Sequence, residues 1–299
     1  MIAFQLNELL QYVVIGLGNG AVYAMVGLGL VVIYRSTGLL NFAQGEIALF
    51  ATFLVWELND RGLPLLVAML AGMVLGGLFG AIIFRVTVQP VGDPHAKPLA
   101  VVIVTIGLFL GINAAAQLIW GTGDRKMPRL FGDGALQIGD LPMKWMKIGA
   151  VGVLAVETIV LFLIFRYTKV GLAMRAVASN PEASALSGVP VSRILLAGWG
   201  LAAALGAVAG TFAAPDRGLN SNLMLAILVS SFAAITLGGF DSLVGAVVGG
   251  LVVGVVTDVL PRYVTFLSKM PLAPAFALIL VVLLVKPEGL FGSKRVTRV

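Results

Sequence analysis

Few residues of this chain could do chemistry, and most of those sit inside long apolar runs. Glu46 and Glu157 interrupt otherwise uncharged stretches, and Asn113 and Gln117 lie one helical turn apart in another. A carboxylate at the centre of a bilayer costs about 2.5–3.5 kcal/mol on insertion scales, so each needs a reason. Glu46 reads as lining a path or pairing at a gate, or else as a helix-end charge reaching water. Glu157 reads as a functional or interhelical group, or as a protonated or locally hydrated residue with packing value only. Asn113 and Gln117 either line a polar path or hydrogen-bond to a neighbouring helix. Asn41 either caps the helix that carries Glu46 or meets a solute. Enzyme chemistry finds little support. There is one histidine, His95, and no cysteine. No nucleophile–base pair or metal cluster is therefore expected, and no cofactor.

The elements that must position these groups are membrane spans. The hydrophobic fraction is 59%, the charged fraction 11% and the mean hydropathy +1.03. A soluble domain carries about 25% charged residues. Apolar runs of about 17–25 residues are long enough to cross a hydrocarbon core of about 30 Å. Nine are expected: 10–34, 42–58, 64–85, 99–120, 148–166, 194–214, 223–239, 243–260 and 272–286. The fold class is an all-α polytopic membrane protein, a single transmembrane domain over residues 1–299. The second and seventh runs are short and flanked by Gly, Asn or Asp, which suits a broken or re-entrant helix. Nine spans would set spans 1–4 and 6–9 in opposite directions, as inverted four-helix repeats about span 5. Phe42-x-x-Gly45 and Phe240-x-x-x-x-Gly245 mark helix starts that would correspond. The net charge of +6 fits loops and lipid headgroups, and nucleic acid binding is not expected.

An odd number of spans puts the termini on opposite sides. No Lys or Arg precedes Arg35, which argues against a cleavable signal peptide and for an N-terminus outside. The tail 287–299 carries Lys294, Arg295 and Arg298 and is placed in the cytoplasm. The cytoplasmic loops are then 35–41, 86–98, 167–193 and 240–242, and the loop 121–147 lies outside. Small residues four apart, such as Gly72, Gly76 and Gly80, Gly206 and Gly210, and Gly245 to Gly254, imply close helix packing. Asp241 and Ser242 read as an N-cap for the eighth span. Asp258 and Arg262 read as a surface pair.

The loop 167–193 carries the clearest local code. Residues 171–178 are helix formers. Asn180 is a good N-cap, Pro181 suits the first helical position, and Glu182 complements the helix dipole. Gly188 and Pro190 stop the second helix, expected over about 181–187. Its surface of Ala, Ser and Leu suits either docking into a cleft of another protein or a connector on the membrane surface.

Ordered motifs along nearly the whole chain resemble the permease subunits of branched-chain amino acid ABC transporters, the Liv type. They are Gly38-x-x-Asn41-Phe42-Ala43-Gln44-Gly45-Glu46, Pro98-Leu99 with Thr105-Ile106-Gly107, Gly171-x-x-x-Arg175-Ala176-x-x-x-Asn180-x-x-Ala183-x-x-x-x-Gly188-Val189, Leu237-Gly238-Gly239, and Lys286-Pro287-Glu288-Gly289-Leu290-Phe291-Gly292. The resemblance implies a multi-chain importer in a bacterial plasma (inner) membrane. An external solute-binding protein delivers the solute, a second homologous or identical permease chain completes the path, and two ATP-binding subunits drive it. The chain lacks a Gly-x-x-x-x-Gly-Lys-(Ser/Thr) phosphate loop, as that division of labour requires. The substrate path is then expected at Asn41, Gln44, Glu46, Asn113, Gln117 and Glu157. The ATPase contact is expected at Gly171, Arg175, Ala176, Asn180, Pro181, Glu182, Ala183 and Gly188. Related permeases carry urea, short amides and other small polar solutes, so the solute stays open. The rival reading is an ion-coupled secondary transporter with Glu46 and Glu157 as coupling sites; it leaves the loop 167–193 without a task.

Overall fold

A computed structural model describes residues 2–92, 97–138 and 141–292. His95, Asp140, Lys294, Arg295 and Arg298 lie outside the described residues. The helices are α1 (Ile2–Thr37), α2 (Gln44–Asp60), α3 (Leu65–Ile83), α4 (Pro98–Trp120), α5 (Trp145–Tyr167), α6 (Lys169–Ser179), α7 (Pro181–Leu186), α8 (Val191–Arg217), α9 (Leu223–Gly238), α10 (Leu243–Tyr263), α11 (Thr265–Ser268) and α12 (Ala273–Val285). A π turn and a 3-10 turn extend α3 to Val91. The sequence reading missed an antiparallel hairpin, β1 (Ala135–Ile138) and β2 (Leu141–Lys144), between α4 and α5.

Each expected span contains a helix, and the chain is an all-α multi-pass membrane protein. Six described helices are long and apolar enough to cross a bilayer: α1, α3 with its extension, α4, α5, α8 and α10. The other three, α2, α9 and α12, have 17, 16 and 13 residues. At about 1.5 Å per residue they fall short of a core of about 30 Å. The count of nine full crossings therefore reduces to six full-length helices and three short ones.

The helix pairings repeat. α1 packs on α10 and α3 on α8; α2 packs on α3 and α8, while α9 packs on α10 and α1. The pairs run antiparallel where α1 meets α10 and where α3 meets α8: Gly16 lies at Val255 and Gly20 at Gly250, while Gly76 lies at Ala203 and Gly80 at Trp199. α1 to α4 thus correspond, in the same order and opposite orientation, to α8, α9, α10 and α12. The sequence markers were misassigned, because α2 corresponds to α9 and not to α10. The true equivalents are the loops Gly38–Asn41 and Gly218–Asn220. Each opens on a glycine with φ of +68° or +78°, a conformation that costs other residues about 1–2 kcal/mol. Each then closes an Asx turn: Asn41 accepts from the Ala43 N–H at 3.0 Å and Asn220 from the Asn222 N–H at 2.8 Å.

These loops fold back into the bundle. Gln44 Nε2 donates to the Ala202 carbonyl at 2.9 Å, so α2 begins beside the middle of α8. Met224, in the first turn of α9, reaches Gly210, about two turns inside the end of α8. A Cβ on Gly45 would meet Leu228, so the two short helices overlap near their starts. The glycine ridges serve this packing. Gly72 and Gly76 face Val55 and Ala51 of α2, Gly206 faces Ala48, Gly249 faces Ala234 and Gly254 faces Gly16 and Gly20. Their contacts lie within the chain, where small residues let backbones approach.

Candidate functional site

A buried carboxyl stands in the first turn of α2. Glu46 is 1% exposed, which overturns its reading as a helix-end charge in water. Asn113 of α4 donates from Nδ2 to Glu46 Oε2 at 3.0 Å and to the Ser221 carbonyl at 2.8 Å. Gln117 Nε2 donates to Asn113 Oδ1 at 2.5 Å. Three expected site residues, one on α2 and two on α4, thus form one chain of hydrogen bonds. They edge a cavity of about 670 Å³ whose remaining wall is mainly apolar: Phe109, Leu110, Ala114, Leu118 and Leu225. Leu110 and Leu118 are 64% and 87% exposed, so the cavity opens sideways on the outer face of α4. The first turns of α2 and α9 both end at it, and helix N-termini favour negative charge.

Ser221 and Asn222, at the start of α9, complete the rim. Sequence reasoning missed them. The available signal was the echo of Gly38-x-x-Asn41 in Gly218-x-Asn220.

The other expected path residues are elsewhere. Asn41 and Gln44 are buried and hold the entry to α2 through the Asx turn and the bond to Ala202. Asn41 Nδ2 and Gln44 Oε1 have no hydrogen-bond partner among the described residues. Neither lines the cavity. Glu157 lies on the buried stripe Ala150, Leu154, Glu157, Leu161 and Phe165 of α5, a helix that packs chiefly on α1. Both its carboxyl oxygens are buried without a partner among the described residues. The structure does not bring Glu157 to Glu46.

The segment 167–193 folds as two helices, as its caps dictate. Thr168 accepts from the Gly171 N–H at 3.1 Å to open α6, a cap not foreseen. Gly171 sits inside α6 and makes no turn. A Cβ there would strike the Ile164 carbonyl, so this glycine lets α6 press on the end of α5. Asn180 accepts from the Ala183 N–H at 2.9 Å and opens α7 at Pro181. Gly188 follows with φ +83°. Arg175, Glu182, Ala183 and Gly188 are exposed, Ala176 and Pro181 partly so, and Leu186 is 91% exposed. Met174 and Val177 face inward.

The four loops expected on one side do share one end of the bundle. Arg35, Arg175, Ser179, Asp241 and Glu288 line one cavity there, and Gln89 meets Pro181 and Glu182 at another. The motif Lys286–Gly292 returns along the end of α9. The Leu290 and Phe291 N–H groups donate to the Leu237 and Gly238 carbonyls at 2.8 and 2.9 Å, satisfying acceptors that a helix end leaves open. Ser242 caps α10 by accepting from the Gly245 N–H at 2.9 Å, as expected.

The hairpin loop closes the opposite end. Arg125 and Leu219 exchange backbone hydrogen bonds of 2.9 and 3.0 Å beside the cavity rim. Lys147 reaches Asn19 at 2.6 Å and Asp216 at 2.8 Å. Arg129 pairs with Asp133 and Asp216, which hold its guanidinium above its usual value. Asp258 accepts from Asn19 at 2.7 Å, while Arg262 pairs with Glu8. The expected Asp258–Arg262 pair is therefore replaced by two pairs to α1, because α1 packs along the whole of α10.

A half-crossing helix carrying Asn-Phe-Ala-Gln-Gly-Glu, its inverted counterpart and a side-opening cavity together invite comparison with known permeases. The family model for the permease component of branched-chain amino acid transport systems matches residues 12–285. The chain belongs to that family. It is 29% identical over 307 residues to the high-affinity branched-chain amino acid transport system permease protein LivH of Escherichia coli K12, with 97% of each chain covered. It is 28% identical to the corresponding protein BraD of Pseudomonas aeruginosa, with 99% of each covered. The fructose import permease protein FruF of Bifidobacterium longum is 24% identical over 90% of this chain and 74% of its own length. No solved structure matches.

Proposed function

We propose that the chain is the membrane-spanning permease subunit of an ABC importer, and that it passes branched-chain amino acids or a related small polar solute through the Glu46 cavity. The observation that carries this is the hydrogen-bonded row Glu46, Asn113, Gln117 and the Ser221 carbonyl, set against an apolar wall. A zwitterion with an aliphatic side chain needs those elements. Glu46 meets the ammonium, the first turn of α9 meets the carboxylate, and Phe109, Leu110 and Leu225 meet the side chain. Few polar contacts suit a permease that must release what a binding protein has already selected. The sideways opening at Leu110 and Leu118 is the place for a second permease chain, which would close the cavity into a path.

Energy enters at the opposite end of the bundle. α7 offers Ala183, Ala185 and Leu186 to a partner. Leu186 is 91% exposed beside these small side chains, and a partner cleft that covers α7 would bury it. Two ATP-binding subunits on the cytoplasmic side are the partners assigned to it, with the N-terminus and the hairpin loop facing the external solute-binding protein.

The decisive experiment purifies the assembled complex, identifies the small molecule that its binding protein retains, and measures uptake of that molecule into vesicles. Uptake that needs ATP and no ion gradient is expected. Uptake driven by an H⁺ or Na⁺ gradient without ATP assigns the chain to secondary transport instead.

A further inference from the structure

Two cavities lie along one face of α4. The Glu46 cavity, of about 670 Å³, takes Phe109, Asn113 and Gln117 from that face. An apolar cavity of about 340 Å³ takes Val102, seven positions before Phe109. Seven residues are close to two helical turns, so these side chains form one stripe, with Val102 and Phe109 about 10 Å apart along the axis. The second cavity lies toward the end of the bundle that carries the segment 167–193, between Tyr34, Leu39 and Phe240. The same stagger recurs on the neighbouring elements. Glu46 edges the first cavity and Phe42, four positions earlier, edges the second. Leu225 of α9 lines the first, and Phe240, just past the end of α9, lines the second. The two cavities share no lining residue.

Between them stand Phe42 and Phe232, their ring centroids 5.5 Å apart. Both side chains are only half-buried. One turn closer to Glu46, a Cβ on Gly45 would meet Leu228 at 3.1 Å. The glycine lets α2 and α9 close up there and sets the two rings against each other. Phe42 precedes α2, and a ring swings about its side-chain torsions without breaking a backbone hydrogen bond. Its neighbours Asn41 and Gln44 each bury one polar atom without a partner among the described residues. Such atoms favour any second arrangement of the segment that pairs them. We propose that Phe42 and Phe232 are the seal of the solute path, an apolar constriction that parts the Glu46 cavity from the second one and opens when the Phe42 ring moves aside. A constriction of this kind holds back polar solutes by excluding water. The inference rests on the reading of the Glu46 cavity as the path, with the second permease chain closing its open side.

The test labels a cysteine in the assembled transporter in membrane vesicles, without ATP. The chain has no cysteine of its own, so Ala114→Cys, on the wall of the Glu46 cavity, is the reporter. A charged, impermeant methanethiosulfonate is added on the side from which Ser179→Cys reacts. Ala114→Cys is expected to react slowly from that side. Adding Phe42→Ala should speed the reaction at least tenfold, and so should Phe232→Ala, while Phe42→Tyr keeps a ring and stays slow. Val31→Cys, wholly buried in α1, should stay unreactive in every background. Equal rates at Ala114→Cys with and without the two rings overturn the inference, as does fast reaction while both rings are present. Rates that rise at Ala114→Cys and Val31→Cys alike assign the rings to packing alone and also overturn it. The labelling uses neither ATP nor solute. Leucine uptake by the wild type that runs on an ion gradient without ATP therefore counts against the importer reading and leaves the seal to the labelling.

Discussion

Glu46 and Asn113 stand 67 positions apart in the sequence and 3.0 Å apart in the fold. Asn113 also holds the Ser221 carbonyl, so one amide ties α2, α4 and the start of α9 together. This relationship converts three polar residues in apolar runs into one site.

Replacing Asn113 by Leu removes both bonds and leaves Glu46 buried without that partner. A buried polar group so stranded costs about 1–3 kcal/mol, more for a charged one. ATP-driven uptake is expected to fall at least tenfold while the amount of protein in the membrane holds. Glu46→Gln keeps the bond to Asn113 and removes the charge, so it should lower uptake less. Vesicle uptake beside stimulation of the ATPase measures both; unchanged rates in both variants would remove these residues from the path.

Ala183→Arg places a long cation on the exposed face of α7. Co-purification of the ATP-binding subunits and uptake should both be lost, because a small side chain is what lets a helix sit in a cleft. Wild-type uptake by this variant would refute the docking role.

The absence of cysteine makes topology measurable residue by residue. Ser179→Cys at the end of α6 should resist an impermeant thiol reagent added to intact cells and react once the membrane is opened. Gly134→Cys, exposed beside the hairpin, should react from outside. The reverse pattern would invert the orientation.

Gly289 has φ +77°, and a Cβ there would meet the Gly239 backbone at 2.5 Å. Gly289→Val forces both a left-handed conformation on a branched residue and a backbone clash. The strap should leave the end of α9, lowering the unfolding midpoint by several degrees or more in a fluorescence-detected thermal scan. A midpoint equal to wild type would show that the motif has another task.

Glu157→Met exchanges an unpartnered buried carboxyl for an apolar side chain of similar length. Removing an unsatisfied group is expected to raise stability by about 1–3 kcal/mol, seen as a higher unfolding midpoint. Uptake should persist, since Glu157 does not line the cavity. Lost uptake in a stabilised variant would mean that Glu157 finds a partner in another state of the cycle.

The sequence by itself determined what local chemistry controls. Apolar length set the class, and Asn180, Pro181 and Gly188 set the second helix of the segment 167–193 almost to the residue. Those signals act within a few positions of the groups they affect. The polar residues Asn113 and Gln117 were legible as unusual, because a membrane interior makes them costly wherever they sit. Their partner was not legible: a hydrogen bond across 67 positions depends on how α2, α4 and α9 cross. The same holds for the depth at which α2 begins, which turns on one bond from Gln44 to Ala202. It holds for Glu157, legible as a costly carboxyl inside a span, whose place on the buried stripe of α5 only the packing shows. Periodicity tells which face of a helix is buried. Only the tertiary structure decides what that face meets, because contacts between helices are set by the shape of both.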